Sequence, residues 1–118
     1  MPALPDYDSP TALKAFLDER GMAMQKKFGQ NFMVNRAHRE RLVDALGITE
    51  ESRVWEIGPG LGAMTASILE RGALLTAFEI DRGFCAALRD IFKDRPNFNL
   101  IEGDVLKKHE TGGEFVCT

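Results

Sequence analysis

Three carboxylates in this chain stand where they could serve one ligand. Glu56 lies just before the run Gly58-Pro59-Gly60-Leu61-Gly62, Glu79 follows the glycines at a distance of about twenty residues, and Asp104 follows a third apolar run. An acid about twenty residues beyond a glycine turn can accept both hydroxyls of a ribose. One beyond the next strand could accept a hydrogen bond from an adenine amino group. The glycines suit a close approach, because no Cβ stands in the way and tight turns often demand positive φ. A helix starting directly after them would aim its free N–H groups at the ligand. Either acid alone would be an ordinary strand-end polar residue. The pair at these spacings points to a nucleoside.

The glycine run fits two templates. Gly58-Pro-Gly60-Leu-Gly62-Ala63 reads as GxGxxA, the form of a dinucleotide site, and Glu56 to Gly62 reads as ExGxGxG, the form of a site for S-adenosylmethionine (SAM). Glu56 has no role in binding a pyrophosphate and would repel one. SAM carries cationic groups and no phosphate, so acids suit it. The carboxylates favour SAM.

The elements that must position these residues alternate. Arg53 to Ile57 reads as a strand, and Leu61, Met64, Ile68 and Leu69 form a helical stripe closed by Gly72. Leu74 to Ile80 is nearly all apolar, as expected of a parallel strand covered on both faces. Phe84, Leu88 and Ile91 carry the next helix, which Asp94-Arg95-Pro96 breaks. Phe98 to Ile101 is a third strand, and Glu114 to Cys117 reads as a fourth just starting, after a polar turn around Gly112-Gly113. Strands alternating with helices predict an α/β fold with a parallel sheet, whose ligands sit beyond the carboxyl ends of the strands.

Ahead of this unit, Ser9-Pro10 supplies an N-cap and an N1 proline. Leu13, Phe16 and Leu17 share a helical face, and Gly21 suits the C′ position. Residues 22–35 have no clean period and read as a loop with aromatic anchors. Asn35 caps a helix to Leu46, with Leu42, Val43 and Leu46 expected inward and Arg36, Arg39 and Arg41 on or near its exposed side. Lys26, Lys27, Arg36, Arg39 and Arg41 crowd a span holding one acid, Glu40, although the net charge of the chain is −3. A basic patch on an acidic body is an electrostatic footprint for phosphates, though the same residues would also suit a plain solvated face. Cys85 and Cys117 lie far apart without CxxC or metal spacing, so they read as small core residues in a reducing compartment, and no metal is expected. No apolar run reaches membrane-spanning length and the first residues lack signal-peptide character, which predicts a cytoplasmic protein. The expected organisation is a lead-in and helix over 1–21, a basic loop and helix over 22–52, and a Rossmann-like unit over 53–118, truncated within or just after its fourth strand.

Lys27-Phe28-Gly29-Gln30-Asn31-Phe32, Glu56-Ile57-Gly58-Pro59-Gly60, Glu79-Ile80-Asp81 and Gly103-Asp104 together resemble the ribosomal RNA adenine N6-dimethyltransferases. The likeness runs from about Lys26 onward. Gln-Asn-Phe ahead of the glycines is specific, because most class I methyltransferases lack it. The wording of the motifs is more similar to the small-subunit branch than to the large-subunit, macrolide-resistance branch. Met33 stands where the family usually has leucine, a swap that keeps volume and apolarity.

The resemblance implies a class I SAM-dependent methyltransferase fold. It places Asn31 and Met33 on a loop over the cofactor, Gly58 at the methionine end, Glu79 on the ribose and Asp104 on the adenine. It implies a monomer acting on small-subunit ribosomal RNA or a 30S precursor, with Lys26, Lys27, Arg36, Arg39 and Arg41 as phosphate contacts. It also implies an Asn-Leu-Pro-Tyr motif after strand four, whose oxygens accept from adenine N6–H while its ring stacks on the base. That motif does not occur in the 118 residues, so the piece itself is expected to be inactive. Three other readings stand beside this one: a large-subunit RNA target, an NAD(P)-binding oxidoreductase domain, and a methyltransferase-like protein that only docks nucleic acid.

Overall fold

A computed structural model describes residues 4–22, 35–106 and 114–117. Two helices come first, α1 (Pro10–Glu19) and α2 (Arg36–Ala45). Then follow β1 (Arg53–Ile57), α3 (Ala63–Glu70), β2 (Leu74–Glu79), α4 (Arg82–Ile91), β3 (Phe98–Glu102) and β4 (Glu114–Cys117). The four strands form one parallel sheet in the order β3-β2-β1-β4. The order reverses beside β1, so the chain winds outward in both directions from the strand that feeds the glycines. That is the switch point at which open α/β sheets bind ligands.

The helix ends follow from local chemistry. Ser9 accepts from the amide of Ala12 at 3.1 Å, with Pro10 behind it in the first turn. Asn35 accepts from His38 N at 3.2 Å and Asp81 from Phe84 N at 2.9 Å. Each satisfies one of the orphan donors that a helix start leaves open. At the end of α1 the amide of Met22 reaches back to the carbonyl of Leu17 at 2.8 Å, closing the helix over Gly21.

The core lies on one face of the sheet. Val54, Leu75, Phe98 and Leu100 point to the same side by register and pack with Met64, Ile68, Phe84 and Leu88 of α3 and α4. Leu13 and Leu17 of α1 are each only 1% exposed and join this core. The opposite face carries Arg53, Trp55, Leu74, Thr76 and Ile101 around an open hollow, with Trp55 edge-on to Phe78.

Two sequence expectations need correction. The second strand is less covered than its apolar run implies. Leu74 is 41% exposed and Ile80, beyond the end of the strand, is 73% exposed. In α2 the inward face is set by Arg39 and Val43, both buried, while Leu42 and Leu46 are exposed. The cause is long-range. Asp8 lies where α2 packs and accepts an ion pair from Arg39 at 3.1 Å. An arginine so placed can enter a partly buried site that an unpaired one would avoid.

Candidate cofactor site

The bend after β1 is built from three glycines that do different work. Gly58, Gly60 and Gly62 all have positive φ, at 67°, 59° and 91°. At Gly58 an added Cβ would meet nothing within 4 Å, so its surface faces open space. At Gly62 it would lie 2.5 Å from the Phe92 ring, so that glycine lets the start of α3 press onto the end of α4. One glycine keeps room for a ligand and another packs helix to helix, as in nucleotide-binding turns.

Glu79 closes the bend from the β2 side. It is 6% exposed; its Oε1 accepts from Gly60 N at 3.4 Å and its Oε2 from Asp81 N at 3.0 Å. Burial pushes its carboxyl above the ordinary range, and the amides of Asp81, Gly60 and Ile80 pull the other way. The end of β1 is tied to the end of β2 as well, since Gly58 N donates to Phe78 O at 2.9 Å. Glu56 is 1% exposed and accepts from the hydroxyl of Thr65 in α3. It therefore locks β1 to α3 beneath the bend. Glu56, Glu79 and Glu102 share the helix-bearing side of the sheet by register.

Asp104 is arranged differently. It is exposed, two residues past β3, and its Oδ1 accepts from Leu106 N at 2.9 Å in a local turn. Glu102 before it takes Arg89 at 3.4 Å and Arg82 at 3.7 Å.

The remaining predicted residues divide. Asn31, Met33, Lys26 and Lys27 lie outside the described residues. Arg36 and Arg41 are exposed on α2. Arg39 is not: at 4% exposure, paired with Asp8, it is unavailable to a phosphate in this arrangement, which corrects the sequence reading. Cys85 is a buried thiol whose Sγ faces Glu79 O at 3.4 Å, and burial raises its pKa to about 11. Among the described residues no group of His, Cys, Asp and Glu could hold a metal, and no helix is long and apolar enough to cross a membrane.

Sequence reasoning missed two supports of the site. Tyr7 donates to the carbonyl of Leu61, inside the bend, at 2.8 Å. Arg71, after α3, binds Glu40 of α2 at 2.7 Å and also Asp44, while Ser67 donates to Glu40 at 3.0 Å. Those bonds with Arg71 hold the Glu40 carboxyl below its usual range. The partners are 27 to 54 positions apart, so no local pattern announces them.

The parallel order, the glycine bend at the switch point and the acid at the end of β2 define a class I, Rossmann-like domain of the SAM-dependent methyltransferase type. Solved structures share it. The 23S rRNA methyltransferase ErmE aligns over 70% of this chain and 35% of its own, with TM-score 0.62 and 28% identity. Coclaurine N-methyltransferase aligns over 69% of this chain and 26% of its own, with TM-score 0.59 and 16% identity, a likeness of fold alone. The family model for ribosomal RNA adenine dimethylase matches residues 21–113, and the chain belongs to that family. Ribosomal RNA small subunit methyltransferase A of Treponema denticola is 56% identical over 105 residues, which is 87% of this chain and 36% of the relative. Its namesake from Borreliella burgdorferi strain ZS7 is 46% identical over 89% of this chain and 37% of its own length. The chain thus spans about a third of the length of these relatives.

Proposed function

We propose that the protein carrying this chain transfers methyl groups from SAM to N6 of two adjacent adenines near the 3′ end of small-subunit ribosomal RNA, two methyls to each. One observation carries the cofactor half of this reading: a buried carboxylate, Glu79, already sits on the amide of Gly60 at the bend. A diphosphate brought there would meet an anion on the N–H groups it needs, whereas a ribose diol can donate to that carboxylate. This disfavours the NAD(P) reading. SAM, when bound, supplies an electrophilic methyl on a sulfonium centre. Glu79 holds the ribose, the open surface of Gly58 admits the methionine end, and Asp104 takes the adenine amino group after giving up Leu106. Asn31 and Met33 close over the cofactor.

Family membership and the relatives named for the small subunit support the RNA half. The N6 lone pair of adenine is delocalised into the ring and is a poor nucleophile, so acceptors for N6–H are required. Asn-Leu-Pro-Tyr, the motif that would supply them, is not among these 118 residues. A polypeptide of these residues alone is therefore inactive and binds SAM weakly. Lys26, Lys27, Arg36 and Arg41 are the phosphate contacts of the full protein, which works in the cytoplasm as a monomer. The test is methyl transfer from labelled SAM to unmethylated small-subunit RNA. Dimethyladenosine formed by the full-length protein and none by the 118-residue piece is expected. Label appearing only in large-subunit RNA would overturn the target, and label transferred by the piece would overturn the assignment of the missing motif.

A further inference from the structure

The segment ahead of α1 precedes the residues matched by the family, which begin at 21, yet it reaches the centre of the candidate site. Tyr7 is 7% exposed and its hydroxyl donates to Leu61 O, the carbonyl between Gly60 and Gly62. The amide on the far side of that peptide, Gly62 N, donates to Pro59 O at 2.9 Å. In a trans peptide C=O and N–H point in opposite directions, so these two bonds grip one plane from both sides. The plane would otherwise turn about the Leu61 ψ and the Gly62 φ, and Gly62 leaves the second open because both φ signs are accessible to glycine. Two residues before Gly62, the amide of Gly60 is held by Glu79. Tyr7 is itself seated: the Arg39 guanidinium lies 5.8 Å from its ring centroid and pairs with the neighbouring Asp8 at 3.1 Å. Burial, with Glu56 nearby, pushes the phenol well above its ordinary pKa, so it stays a donor.

We infer that Tyr7 is a positioning residue of the cofactor bend, and that Tyr7, Asp8 and Arg39 form a clasp fixing the Leu61–Gly62 peptide in its ligand-ready orientation. The words ligand-ready rest on the SAM reading above; the fixing of the peptide does not.

Tyr7→Phe keeps the ring and removes only the donor. Native-state hydrogen exchange on the full-length protein reads the result. Gly62 N–H is expected to accelerate about 3- to 10-fold more than Leu75 N–H, a β2 amide bonded to Asn97 O at 2.9 Å. Gly62 accelerating no more than Leu75 would reduce Tyr7 to general packing and overturn the proposal. Asp8→Asn, on an exposed partner, serves if Tyr7→Phe fails to fold; the same amide should then accelerate about twofold relative to Leu75. No relative change there would remove Asp8 and Arg39 from the clasp. In the full-length protein Tyr7→Phe should weaken S-adenosylhomocysteine binding about 3- to 10-fold. Failure of the unaltered protein to bind that nucleoside would overturn the reading of the site, an outcome separate from the exchange result.

Discussion

The ends of β2 and β3 are neighbours in the sheet, and each has, at its last residue or just past it, an acid proposed to hold one part of the same nucleoside. They are built in opposite ways. Glu79 is buried, with two backbone amides on its two oxygens. Asp104 is exposed and, among the described residues, is bonded locally, to Leu106. A carboxylate already desolvated and aimed at the bend has met its ordering cost during folding. One in a solvated turn meets that cost when the ligand arrives. The β2 end should therefore dominate affinity and the β3 end should tune it.

The largest effect is expected from the bend that gives Glu79 its donor. Gly62→Ala would force a Cβ into the Phe92 ring at a φ of 91°. Strain and overpacking together should destabilise by about 2–4 kcal/mol. Thermal melting checks this, and an unchanged Tm would show that the bend is not held as described. Glu79→Gln should weaken SAM binding about 100-fold, since two hydrogen bonds to a charged acceptor are replaced by weaker ones. Calorimetry on the full-length protein reads it.

The same variant carries a pH signature. The folded-state pKa of Glu79 is raised by burial, so its contribution to stability is full below the unfolded value and is lost as pH rises through the folded one. Glu79→Gln should thus melt at or above the parent temperature at pH 8, with that advantage gone at low pH. A variant that melts lower at pH 8 than at pH 4, relative to the parent, would contradict the burial argument. Asp104→Asn should cost only about 5- to 10-fold in SAM affinity and leave Tm unchanged. An effect equal to that of Glu79→Gln would erase the contrast.

The smallest effects lie on α2, where the contrast between a built and a solvated side chain recurs. Arg41→Ala should lower the salt slope of RNA binding by about one unit without changing Tm. Arg39→Ala should leave that slope alone and lower Tm, because Arg39 is paired with Asp8 inside the fold.

The strand–bend–helix unit was legible in the sequence because its signals are local: an apolar run, three glycines, then a helical stripe. The parallel sheet followed from the alternation of elements. The acids at the end of β2 and just past β3 were legible from spacing, but spacing carries no information on burial, so the difference between Glu79 and Asp104 was not. Arg39 was misread for a related reason. Its helix offers leucines at 42 and 46 that fit an inward stripe, and distant partners that include Asp8 and Tyr7, 31 and 32 positions away, go with the burial of the arginine's side. Tyr7 itself left no local signal, since a tyrosine in a polar lead-in names no partner 54 positions on. Position along the chain reveals periodicity; it does not reveal which distant side chain fills a gap.

The most direct test is calorimetric titration of the full-length protein with SAM and with NADP, repeated with Glu79→Gln. Saturable heat with SAM, lost in the variant, and none with NADP is expected. Saturable binding of NADP, or undiminished SAM binding by Glu79→Gln, would contradict a site organised around a buried carboxylate on the glycine bend.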